Sequence, residues 1–186
     1  MAKNKVIVLD RDGVINHDSD AFIKSVDEWQ PIEGSIEAIA KLTQAGYKVF
    51  VLTNQSGIAR GLLSLETLNH IHAKMRHLVT AANGSIDGIY FCPHGPDDNC
   101  DCRKPKAGLY HQLAEEENIS FAGVYSIGDS IRDLEAAQLA GASPALVLTG
   151  KGQQSQQTIA NIMNHPFEKT SIYANLADFV KQLIEK

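Results

Sequence analysis

Asp10 and Asp12 stand two positions apart at the end of the apolar run Val6-Ile-Val-Leu9. Residues i and i+2 of an extended chain point to the same side, so both carboxylates arrive together. Gly13 follows, and glycine lets a backbone turn or approach a ligand closely. Thr53, Asn54, Gln55 and Ser56 come directly after a second apolar run, Val49–Leu52, and Asp129 and Ser130 after another, Val124–Ile127. Carboxylates among hydroxyls and amides suit Mg²⁺, a hard cation held by one or two acids together with phosphate and water. Arg103 and Lys104 add cations suited to phosphate oxygens. The plain alternative is a set of strands ended by polar turn residues, with Asp129 as a helix N-cap.

A second group of residues asks for a different metal. The three cysteines, Cys92, Cys100 and Cys102, lie within eleven positions of one another. An odd number so clustered is no disulfide framework. With His94 they make two pairs, Cys92-x-His94 and Cys100-x-Cys102, and supply the four N/S ligands of a closed zinc site. The one-residue gaps are tighter than the usual zinc-finger gaps, but every cysteine in the chain is used. The stretch around them has little apolar content, so a structural Zn²⁺ would order it and hold Arg103 and Lys104 in place.

These residues need a scaffold, and the pattern around them supplies one. Buried-strand runs alternate with stretches of helical spacing: a helix near 32–45, one at 64–82 with Ser64 as N-cap, one at 107–117 and one at 131–140. Strands are expected at 86–91, 124–127, 145–148 and 171–173, and a closing helix at 176–184. Such alternation implies parallel βαβ units with helices on both faces of the sheet, and loops at the carboxyl ends of the strands converge on one edge. The piece from Gly150 into the Gln/Ser-rich segment reads as mobile, with a weak helix at 158–163. Trp29 reads as packed at the core edge. His70, His72 and His77 on the long helix read as solvated, Lys106 as a solvated residue, and Asp133 as a supporting partner or a solvated helix residue.

The chain has 186 residues, the size of one domain, 1–186. Its formal net charge of −5, with no long basic run, argues against nucleic acid as the main partner. No apolar run approaches a membrane span, and the run after Lys5 breaks at Asp10, too soon for a signal-peptide core. A cytosolic monomer acting on a small molecule is the expectation.

In order and spacing, Asp10-x-Asp12-Gly, Thr53-Asn54-Gln55, Arg103-Lys104-Pro105 and Gly128-Asp129 resemble the haloacid dehalogenase (HAD) superfamily of phosphatases. Within it, Asp10-Arg-Asp-Gly-Val-Ile-Asn16, Thr53-Asn-Gln-Ser-Gly-Ile-Ala-Arg-Gly61, Cys92-Pro-His94 and Cys100-Asp-Cys-Arg-Lys-Pro105 are similar to the heptose bisphosphate phosphatase family. Histidinol-phosphate phosphatases come next. The resemblance implies a three-layer, Rossmann-like α/β fold with a zinc-binding loop. It also implies an aspartyl-phosphate mechanism serving nucleotide-heptose supply for surface glycans. Asp10 would be the nucleophile and Asp12 the general acid and base. Mg²⁺ would sit between the Asp10 carboxylate, the Asp12 carbonyl and Asp129. Thr53 and Lys104 would hold the phosphoryl oxygens, and Arg103 would recognise a sugar bisphosphate.

Around the mouth, Asp18, Ser19, Asp20 and Ala21 are expected to touch sugar hydroxyls, and Asn54, Gln55, Ser56 and Ser130 to face the substrate. The sequence departs from the family at Asp18-Ser-Asp-Ala-Phe22, where a Gly-Tyr-type turn is expected, and at Ser130, where some members carry Lys. No insertion of tens of residues marks a large cap domain. Rival readings are the same chemistry on histidinol phosphate, a nucleic-acid 3′-phosphatase, and a zinc-ordered binding module without activity.

Overall fold

The computed structural model describes residues 5–185. Four consecutive apolar residues form strand β1 (Val6–Leu9), buried along its whole length. The two-residue period splits it: Ile7 and Leu9 enter one core, Val6 and Val8 the other. The remaining strands are β2 (Lys48–Asn54), β3 (Gly88–Cys92), β4 (Tyr125–Gly128), β5 (Ser143–Val147) and β6 (Ser171–Tyr173). They form one parallel sheet in the order β3-β2-β1-β4-β5-β6. Helices α1 (Ser35–Gln44), α2 (Leu65–Ala81) and α6 (Leu176–Ile184) pack on the Ile7/Leu9 face. Helices α3 (Gly108–Glu117) and α4 (Ile131–Leu139) cover the other face, and α5 (Gly152–Asn161) joins α4 through Ile159, Leu134, Leu146 and Phe167.

The chain steps outward from β1 to β2 to β3, then returns to place β4 on the far side of β1. The sheet therefore changes direction between β1 and β4, where open α/β sheets bind ligands beyond the strand ends. Asp10 stays in register there, its amide donating to the Ile127 carbonyl at 2.9 Å. The expected three-layer α/β architecture is the one observed. Among the described residues, no large cap domain interrupts β1–α1 or α2–β3, and no helix is long and apolar enough to cross a membrane.

Helix α2 begins where capping chemistry placed it: the Ser64 hydroxyl accepts the Thr67 amide at 3.0 Å. The segment after Gly150 departs from expectation. It is helix α5, starting at Gly152, because buried Ser155 and Ile159 give its polar sequence a packed face. Strand β2 runs on through Thr53 and Asn54, and β3 ends on Cys92, so these residues belong to strands rather than to the loops beyond. Trp29 is fully buried.

His72 also departs from expectation. Its neighbours His70 and His77 are exposed, but His72 is only 7% exposed. Burial, and then the Arg11 charge beside it, hold its pKa down at about 3. An unfolded histidine takes up its proton near pH 6.5, so the unfolded chain binds more protons between these values and His72 costs stability as pH falls. The stability of the parent protein should therefore drop more steeply than that of His72→Gln between about pH 6.5 and pH 4 in denaturant titrations. Parallel curves would contradict the buried neutral ring.

Candidate active site

The carboxyl ends of β1, β2 and β4 each deliver polar side chains to one cleft of about 320 Å³. Carboxylate oxygens of Asp10, Asp129 and Asp133 all lie within 4.8 Å of one another there. Lys104 reaches into the group. Its Nζ is 2.7 Å from Asp10 Oδ1, 2.6 Å from Asp133 Oδ1 and 2.8 Å from the Leu52 carbonyl oxygen. An ammonium has three hydrogens, and these three acceptors take them all. Lys104 is held in turn by Asn54, whose carboxamide accepts from the Lys104 amide at 3.0 Å and donates to its carbonyl at 3.1 Å.

The charges explain the titration of the site. Burial raises the Asp10 pKa to about 7, with Lys104 opposing and the Asp133 charge adding. Burial raises Asp129 to about 8, helped by the charges of Asp133 and Asp10. For Asp133 burial is overcome by the Lys104 charge and by hydrogen bonds from Lys104 and Ser130, so its pKa falls. Lys104 is pushed up by Asp10 and Asp133 in spite of its burial. Three ionised acids against one ammonium leave a net charge of −2, which a divalent cation would neutralise. The all-oxygen donor set fits Mg²⁺.

The backbone makes room for this group. Gly13 has φ +83°, and a Cβ on it would collide with the Asp129 carboxylate; Gly150, at φ +56°, is under the same constraint. Thr149 Oγ1 donates to the Gly13 carbonyl at 2.6 Å, and the Lys151 amide donates to Asp129 Oδ2 at 2.7 Å.

Asp12 does not share its carboxylate with the other acids. Arg11, Asn16 and Gln55 hold it, and it lines the same cleft as Asp10. Thr53 is buried, and its hydroxyl accepts from Gln55 Nε2 at 3.0 Å. Arg103 and Ser56 line the cleft. The expected substrate contacts divide. Asp18, Ser19 and Asp20 line it, with Asp18 and Asp20 paired to Lys151 at 3.4 and 3.5 Å, but exposed Ala21 does not. The Phe22 turn, at φ +64°, points Phe22 and Ile23 inward instead. Asn54, Gln55 and Ser130 line it too; Asn54 is tied to Lys104, and Gln55 donates Nε2 to Asp12 and Thr53. Ser130 caps α4, donating its amide and hydroxyl to Asp133 Oδ2 at 3.0 and 2.6 Å. The helix cap is thus Ser130, and Asp129 is free of that duty. Arg60, Arg132 and Lys151 also line the cleft, and spacing alone marked none of them. Only Arg60 carried a signal, as part of the Thr53–Gly61 resemblance.

The Cys92, His94, Cys100 and Cys102 donor atoms likewise lie within 4.8 Å of one another, with Cys92 Sγ 3.6 Å from Cys100 Sγ and His94 Nδ1 3.3 Å from Cys102 Sγ. Tetrahedral Zn–S bonds of roughly 2.3 Å place sulfurs about 3.8 Å apart, so the cluster fits zinc. Arg103 Nη1 donates to the His94 carbonyl at 3.2 Å, which ties the loop to the cleft.

Acids and a lysine gathered at the switch point of a parallel sheet suit a phosphoryl group met by a divalent cation. The chain belongs to the haloacid dehalogenase-like hydrolases, whose family model it matches over residues 4–141. A Pseudomonas putida protein named D-glycero-beta-D-manno-heptose-1,7-bisphosphate 7-phosphatase is 51% identical over 97% of this chain and 99% of its own length. A Neisseria meningitidis protein of the same name is 49% identical over 98% and 96%. The crystal structure of a D,D-heptose 1,7-bisphosphate phosphatase from B. bronchiseptica, complexed with magnesium and phosphate, superposes with a TM-score of 0.91 at 49% identity, covering 97% of this chain and 98% of that one. The resemblance read from the motifs is borne out.

Purified protein should carry about one zinc per chain by mass spectrometry, as four-ligand sites do. Cys102→Ser should lose that zinc and lower the melting temperature, because a structural metal contributes folding free energy.

Proposed function

We propose that the chain is a Mg²⁺-dependent phosphatase that removes the 7-phosphate of D-glycero-D-manno-heptose 1,7-bisphosphate, as its named relatives do. The observation that carries the reading is the Asp10 carboxylate at the tip of β1, beside Lys104 and within reach of Asp129. On this reading residues 1–186 act as one domain, a cytosolic monomer on the route to nucleotide-activated heptose.

Asp10 attacks phosphorus in line with the departing sugar oxygen and becomes an aspartyl-phosphate. Asp12 gives its proton to that oxygen, then takes one from the water that hydrolyses the intermediate and restores both acids. Thr53, which accepts from Gln55, keeps its own hydroxyl hydrogen for a phosphoryl oxygen. Lys104 offsets the charge of Asp10 as the anion approaches. Asp10, Asp129 and the Asp12 carbonyl would hold Mg²⁺, which would supply further positive charge at the phosphoryl group. Asp133 fixes Lys104. Cys92, His94, Cys100 and Cys102 would hold a zinc ion that orders the loop carrying Arg103, and Arg103 at the mouth meets the phosphate that is not transferred.

Phosphate release should be fastest on the heptose bisphosphate, with the β anomer ahead of the α anomer, and slow on histidinol phosphate. A reversed order between the two substrate types would remove the substrate assignment. Asp10→Asn should abolish release, a loss of at least about 10³-fold for a missing nucleophile; undiminished turnover would remove the mechanism.

A further inference from the structure

Arg11 lies between the nucleophile and Asp12 and is fully buried. Its side chain turns onto its own neighbour. Nε and Nη2 donate to Asp12 Oδ1 at 3.1 and 2.9 Å, and Nη2 also reaches Oδ2 at 3.0 Å. Asn16 Nδ2 donates to Oδ1 and Gln55 Nε2 to Oδ2, each at 2.8 Å. The carboxylate is thus gripped at both oxygens, and the grip is only as stiff as the guanidinium. The far nitrogen of that guanidinium, Nη1, is 3.2 Å from His72 Nε2 on α2.

Arginine has donors only, so Nε2 accepts and the ring hydrogen sits on Nδ1. The buried residues of α2 are Leu68, Ile71, His72, Met75 and Val79. Core packing asks only for apolar side chains on that stripe, and the single polar one is the residue that meets Arg11. A buried N–H with no acceptor would cost more than the histidine does.

We propose that His72 is a positioning residue: by anchoring Arg11 at Nη1 it fixes the setting of the Asp12 carboxylate in the wall of the cleft. This rests on the proton-transfer role given to Asp12 above. Orientation of a general acid matters at the level of an ångström, so a guanidinium free to swing would lower the chemical step and leave substrate binding alone.

Three variants test it. His72→Gln keeps an acceptor for Nη1, His72→Leu removes it, and Arg11→Met with His72→Leu removes both partners so that no buried donor is orphaned and the fold survives. In His72→Leu and the double variant, kcat on the heptose bisphosphate should fall about 10-fold or more with KM nearly unchanged, as for lost supporting contacts elsewhere. His72→Gln should restore most of it. The pre-steady-state burst with p-nitrophenyl phosphate should be spared, since a nitrophenolate leaves without a proton, whereas a general loosening of the site would slow both substrates alike. Undiminished kcat in the folded double variant, or equal loss on both substrates, would overturn the proposal. Asp12→Asn run alongside separates the two layers: retained turnover there removes the acid–base role itself, and loss there beside an active double variant removes only the positioning by His72.

Discussion

The arrangement depends on one buried ammonium. Lys104, 3% exposed, stands between Asp10 and Asp133 with Asp129 close by. Burying a charge is costly unless partners and hydrogen bonds replace water, and here every hydrogen of the ammonium has an acceptor. Removing one member of such a group strands the others, typically at about 3–5 kcal/mol. With all three acids ionised, the cluster is short of positive charge by two. Structural need and catalytic use coincide in that deficit: the same surplus of carboxylate that burdens the fold is what a divalent cation and a phosphoryl group come to meet.

Much of the structure serves to bring Lys104 to this point. It follows directly on Cys102 and Arg103, in a stretch with few apolar residues of its own. The Cys/His cluster closes that stretch on one side, and the Asn54 carboxamide clamps the Lys104 backbone on the other. Asn54 therefore acts as a brace between β2 and the zinc loop. Ser130 plays the matching part at α4, where its cap fixes Asp133. Asn54 and Ser130, which line the cleft, thus also brace it. Arg60, Arg103, Arg132 and the 18–23 loop line the cleft beside them.

The two aspartates at the tip of β1 are separated by environment. Asp10 is drawn into the lysine and acid cluster, where burial raises its pKa to about 7. Asp12 is drawn away by Arg11, Asn16 and Gln55 into a bed of donors. Two like groups two residues apart can take different work only because their partners come from different parts of the fold. Asp10 meets a loop 94 residues on, and Asp12, through Arg11, a helix 61 residues on.

The sequence by itself determined the strand tips that carry acids and hydroxyls, the cysteine pairs, the Ser64 cap and the helix–strand alternation. These are local properties, written in residue type and in periods of two and 3.6. It left Asp133 between partner and solvated residue, misread His72 as solvated and the segment after Gly150 as mobile, and did not show that Asn54 and Ser130 brace Lys104 and Asp133. Tertiary structure decided each of these, because burial and partner choice depend on which distant segments share a cavity. His72 is polar in a stripe whose period places it ambiguously, and only the approach of Arg11 gives it a reason to be inside. The polar helix α5 gains its packed face only from α4 and β5. A side chain's chemistry is fixed by its atoms, but its task is fixed by what the folded chain sets beside it.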